Sequence, residues 1–148
     1  MKGWAREWSA PFQILKKWVR VEKRNRLNLR EMNLSDISLL SIEETLERMS
    51  GDRELLANLF QLFVDDAPKK LRAIEDFVAQ NEFYQVERTA HSLKGASATV
   101  GATRLCRLAA DLEQAAKAGS REQVDALRAN LTPVCEQTLE SMRRFCAE

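Results

Sequence analysis

Histidine is almost missing from this chain: its 148 residues contain one, His91. Cysteine (three), proline (three) and tyrosine (one) are also sparse. These scarcities exclude several chemistries. One histidine with no cysteine beside it supplies no ligand set for a metal, and no Ser-His-Asp arrangement is present. Cys106, Cys135 and Cys146 are odd in number and lack a CxxC spacing, so they read as reduced thiols filling a core rather than a redox pair. No run approaches the roughly 20 apolar residues of a membrane span, and the N-terminus has no continuous apolar signal region. A cytoplasmic protein without a membrane span is therefore expected. No glycine-rich nucleotide loop, acidic metal cluster or other kinase part is present, so the chain cannot take phosphate from ATP unaided.

What is there is ordinary for a folded domain: 45% apolar and 30% charged residues, with a net charge of +1. The charge is unevenly spread. Residues 1–34 hold nine Lys/Arg and three acids, net +6, and the remainder is net −5. That asymmetry sets a boundary between a basic extension or linker, 1–34, and a domain, 35–148. The extension carries all three tryptophans, and Phe12, Leu15, Trp18 and Val19 can share a helical face. It reads as a linker from a larger signalling protein, a helix docking on its own domain or a second copy, a membrane-surface helix, or a basic arm for nucleic acid. The first two fit better: the charge is modest and no base-reading motif is present, so no nucleic-acid partner is expected.

From residue 35 onward the apolar period is helical, and no segment alternates as a strand does. Ser41-Ile42-Glu43-Glu44 fits a capping box opening a short helix that ends at Ser50-Gly51. Asp52 caps the next, with Leu55, Leu56, Leu59, Leu62 and Phe63 as its apolar stripe, and Pro68 is expected to break or kink it. Further helices are expected over about 82–99 and 102–118 and after Ser120, with a kink at Pro133. Short connections force antiparallel neighbours, so the fold expected is all-α: an antiparallel up-down four-helix bundle with a short accessory helix at its N-terminal side.

The densest chemistry lies in Thr89-Ala90-His91-Ser92-Leu93-Lys94-Gly95-Ala96-Ser97-Ala98-Thr99-Val100-Gly101. At about 100° per residue, Val86, Ala90, Leu93, Ser97 and Val100 form the buried stripe. His91 points away from it, on a face with Tyr84, Glu87, Arg88, Lys94, Gly95 and Ala98. Lys94 and Gly95 sit one turn along, at i+3 and i+4. Glycine inside a helix costs about 0.5–1 kcal/mol relative to alanine, and close approach of another macromolecule to the imidazole would justify it. Imidazole is nucleophilic near neutral pH and can form a covalent intermediate. An ammonium beside it would steady phosphoryl oxygens. The set suits phosphoryl acceptance from another protein.

His91-Ser92-Leu93-Lys94-Gly95-Ala96-Ser97 with Val100-Gly101 resembles the phosphorylation motif of histidine-containing phosphotransfer (HPt) domains of two-component phosphorelays. Gly51-Asp52-Arg53-Glu54-Leu55-Leu56 and Leu62-Phe63-Val64-Asp65-Asp66-Ala67-Pro68 resemble the family's first long helices, and Leu108-Ala109-Ala110-Asp111-Leu112-Glu113 its helix after the histidine. The likeness covers roughly 37–145. It implies His91 as phosphoacceptor through the outward Nε2, Lys94 offsetting phosphoryl charge, and Glu113 holding the other ring nitrogen. Gly95, Arg88, Tyr84 and Ala98 would line the docking surface for a receiver domain.

The function expected is thus a phosphoryl carrier and not an enzyme, with response-regulator receiver domains and a hybrid sensor histidine kinase as partners. No cofactor of its own is implied, since Mg²⁺ would sit in the receiver. A domain phosphorylated directly by a kinase ATP-binding domain, and an interaction protein on the same fold, are the alternatives. A metal-binding bundle would need Glu-x-x-His motifs that are missing.

Overall fold

A computed structural model describes residues 33–34 and 37–148. The chain divides into Met1–Asn33 and Leu34–Glu148, and all described residues but Asn33 lie in the second unit. The readings of 1–34 as linker, docking helix or basic arm fall outside the described residues. Among its described residues the second unit holds five α-helices: α1 (Ile42–Arg48), α2 (Arg53–Ala79), α3 (Phe83–Thr99), α4 (Thr103–Lys117) and α5 (Arg121–Ala147). No strand occurs among the described residues.

Local chemistry sets the helix ends. Asp52 Oδ1 accepts from Leu55 N at 3.0 Å, and Ser120 Oγ accepts from Gln123 N at 3.4 Å. At the C-termini of α1 to α4, a residue with positive φ stands two places past the last helical one: Ser50, Asn81, Gly101 and Gly119. The next amide then reaches back to the third-last carbonyl, as Glu82 N does to Phe77 O (2.9 Å) and Ala102 N to Ser97 O (2.9 Å). These reversals leave three-residue links between α2, α3, α4 and α5, so consecutive helices run antiparallel. Each of the four packs on two neighbours, α2 on α3, α3 on α4, α4 on α5 and α5 on α2, which closes the bundle.

The four helices are unequal. α2 and α5 have 27 residues each, α3 has 17 and α4 has 15. At 1.5 Å per residue that is about 40 Å against about 25 Å. The first turns of α2 and the last turns of α5 therefore meet beyond the ends of α3 and α4, where Phe60 and Phe145 pack edge to face at 5.1 Å and Arg53 covers the Phe145 ring at 4.5 Å. Residues before α2 cover the shorter pair. Ile37 is buried, and Leu39, Leu40, Ile42, Leu46 and Met49 pack on the core.

Four expectations are corrected. Leu55 and Leu62 are 44% and 65% exposed, while Phe60 is buried. The buried set of α2 is Leu56, Phe60, Phe63, Ala67, Ile74 and Val78, and Leu55 and Leu62 sit about 100° behind it. Pro68 does not break α2, which continues through it. A proline costs a helix interior about 3 kcal/mol, and burying Phe63, Ala67, Ile74 and Val78 on both sides of Pro68 outweighs it at about 1.5–3 kcal/mol for each large side chain. Ser41 starts α1 without a side-chain cap; its hydroxyl pairs with Thr103 Oγ1 at 2.8 Å instead. Finally, no disulfide links the cysteines, but only Cys135 is fully buried, and Cys146 is exposed. Burial, with Glu136 nearby, pushes the Cys135 thiol up to about 11, which keeps it protonated.

Candidate functional site

α3 buries Val86, Ala90, Leu93 and Ser97 and turns His91 outward, its side chain 67% exposed. α4 lies alongside, burying Leu105, Leu108, Ala109, Leu112, Ala115 and Ala116. Glu113, next to Leu112, falls on the edge of that stripe that faces α3, and its side chain is 13% exposed. Its two oxygens have different partners. His91 Nδ1 lies 2.8 Å from Oε1, and Lys94 Nζ donates to Oε2 at 2.6 Å.

This geometry decides the state of the imidazole. Burial pushes the Glu113 carboxyl up, but hydrogen bonds and charge from Lys94 and His91 together outweigh it and hold the group below the ordinary carboxylate value. Glu113 is therefore ionised at neutral pH and can only accept. The proton in its bond to His91 is on Nδ1, so a neutral ring carries its lone pair on Nε2, which has no partner among the described residues.

The other residues singled out in the sequence divide into two groups. Arg88 and Tyr84 are exposed on the His91 face and hold each other: Arg88 NH1 donates to Tyr84 Oη at 3.3 Å, with the guanidinium 5.8 Å from the ring centre. Gly95 is exposed, and a Cβ built on it meets nothing within 4 Å. Ala98 is half-buried, and its carbonyl accepts from Arg48 of α1 at 3.4 Å, so it belongs in part to the contact between α1 and α3. The pairing of Lys94 with Glu113 had no signal in the sequence beyond the helical edge both share. Lys94 is only 21% exposed and already bonded to a carboxylate.

Gly101 contrasts with Gly95. Its φ is +76°, and an added Cβ would collide with Thr45 Oγ1 and lie 3.1 Å from Ser41 O. Around it Ser41 N donates to Gly101 O (2.9 Å), Thr45 Oγ1 to Ser41 O (2.6 Å) and Arg48 NH2 to Thr45 Oγ1 (3.1 Å). Arg104 donates twice to Ile37 O, at 3.0 and 2.8 Å. These bonds tie α1 and the preceding residues to the α3–α4 turn. Among the described residues no helix is long and apolar enough to cross a membrane, and no three His, Cys, Asp or Glu side chains converge as a metal site.

Comparison with known proteins gives the family and the fold. The Hpt domain model matches residues 58–144. The phosphorelay protein LuxU of Vibrio cholerae is 31% identical over 107 residues, 72% of this chain and 88% of that protein. In fold, the chain is similar to histidine-containing phosphotransfer protein B (HptB) of Pseudomonas aeruginosa PAO1, known from a crystal structure: the TM-score is 0.70 at 20% identity, covering 76% of this chain and 97% of that one. An all-helical bundle, a solvent-facing histidine oriented by a carboxylate and a family match over most of the bundle lead to one conclusion: the chain belongs to the Hpt domain family, the histidine phosphotransfer relay modules of two-component signalling.

Proposed function

We propose that His91 is the phosphoacceptor, taking a phosphoryl group from a receiver-domain aspartate on Nε2 and passing it to another response regulator. One observation carries the reading: the only histidine is exposed, and an ionised carboxylate holds its Nδ1 proton, so Nε2 faces solvent as a nucleophile. The Nε2 lone pair forms the N–P bond as the bond from phosphorus to the aspartyl oxygen breaks, and the aspartate leaves as carboxylate. The imidazole then bears positive charge, which Glu113 stabilises through Nδ1–H. Such transfers have a loose transition state, so orientation and charge carry the rate. Lys94 offsets part of the phosphoryl charge while sharing its ammonium with Glu113. Gly95 leaves room for the receiver, and Tyr84, Arg88 and the exposed part of Ala98 line the surface it docks on.

On this reading the domain, 35–148, is a carrier rather than an enzyme, and 1–34 is a basic extension or linker. Its partners are receiver domains and a hybrid sensor histidine kinase in the cytoplasm, not nucleic acid. It uses no cofactor of its own, Mg²⁺ being bound by the receiver. The test is phosphotransfer from labelled receivers to wild type and His91→Gln. Acid-labile, base-stable label on wild type alone is expected. Label obtained only from a kinase ATP-binding domain would replace the receiver as donor, and label on neither would sink the carrier reading.

A further inference from the structure

The charges around His91 do not suffice for a phosphoryl group. Within one turn of it on α3 stand Glu87, Arg88 and Lys94, and Glu113 reaches it from α4. Phosphorylation adds about two negative charges. Of the two cations on α3, Lys94 is bonded to Glu113 at 2.6 Å and largely buried, so its charge is shared with a carboxylate before any phosphoryl group arrives. Arg88 is different. No carboxylate among the described residues pairs with it; it rests on Tyr84, four residues earlier, through one hydrogen bond and ring contact. Both are exposed, so this contact is weak and the guanidinium leaves it at little cost. Arg88 precedes His91 by three residues, which puts the two Cβ atoms about 5–6 Å apart on one surface. An arginine side chain spans that gap, and its planar fork matches two phosphoryl oxygens.

We propose that Arg88 is a further catalytic residue of the transfer: its guanidinium leaves Tyr84, one turn before it on α3, for the phosphoryl oxygens on Nε2 of His91, nearly one turn after it. The proposal rests on His91 being the phosphoacceptor and adds the group that meets the transferred charge. It gives Arg88 a role in chemistry beyond lining a docking surface.

Chemical phosphorylation by phosphoramidate separates the two roles, because no protein docks. The phosphorus–nitrogen bond of phosphoramidate breaks, ammonia leaves, and the same Nε2–P bond forms. Labelling of wild type, Arg88→Ala, Arg88→Lys and His91→Gln is followed by ³¹P NMR and intact mass. Arg88→Ala is expected to slow labelling roughly 10-fold, the size of one lost charge-assisted hydrogen bond, with Arg88→Lys recovering part of the rate. Wild-type labelling kinetics in Arg88→Ala, with a deficit only when a receiver is the donor, would overturn the proposal and leave Arg88 as a docking residue. Wild type that takes no label from phosphoramidate or from receivers would overturn the phosphoacceptor reading and this one with it.

Discussion

Two glycines six residues apart show how differently two ends of one stretch are determined. Gly101 sits where α1 is tied to the α3–α4 turn, in a left-handed conformation, with Thr45 occupying the space a side chain would need. Every reason for that glycine is inside the molecule. Gly95 is helical, exposed and open on the side where a Cβ would go. Nothing inside the molecule requires it, and it weakens its helix. The first region is built for its own stability, and the second leaves open the surface on which we propose a receiver docks.

The comparison breaks most readily at Gly101. Gly101→Ala forces a left-handed alanine, about 1–2 kcal/mol, and displaces Thr45 from its bonds to Ser41 and Arg48, with overpacking of about 1–3 kcal/mol. Urea unfolding should show a loss of about 2–5 kcal/mol. A loss under 1 kcal/mol would mean that the tie between α1 and the turn is soft. Gly95→Ala should act in the opposite direction, gaining about 0.5–1 kcal/mol from helix propensity, while weakening phosphotransfer from a receiver. A more stable variant with unchanged transfer would leave Gly95 without a purpose.

The smallest effect sharpens the comparison through pH. Glu113 titrates below the ordinary carboxylate value in the folded state. Its contribution is therefore fully present above the unfolded carboxylate pKa and is lost as pH falls through the depressed folded value. The stability gap between wild type and Glu113→Gln should be widest near neutral pH and close under acid conditions, as read from urea midpoints at several pH values. A gap that stays constant with pH would show that the carboxylate charge contributes nothing.

Much of this was legible from residue order. The stripe of Val86, Ala90, Leu93, Ser97 and Val100 is buried as its spacing predicts, and Leu105, Leu108, Ala109, Leu112, Ala115 and Ala116, at the same three- and four-residue spacing, are buried on α4. Asp52 and Ser120 cap the helices they precede. These features come from periods and side chain–backbone bonds spanning three or four residues, which sequence displays directly. The misses are of another kind. Ser41 has the composition of a capping box, yet its hydroxyl is taken by Thr103, 62 residues away. Leu55 and Leu62 look like core, but the rotation of α2 is set by Phe60 and Phe63 against the other helices. Pro68 looks like a break, and packing on both sides overrides it.

The sequence by itself determined the helical class of the described domain, the antiparallel order, the outward direction of His91 and the family motif around it, because each follows from local period, capping and loop length. Only the tertiary structure decided that Glu113 divides its two oxygens between His91 and Lys94, that Arg88 is left to Tyr84, and that residues 37–49 cover the ends of the two shorter helices. Those outcomes depend on how far one helix is rotated and shifted against the next. That is set by the summed packing of the whole core, and no short stretch of sequence encodes it.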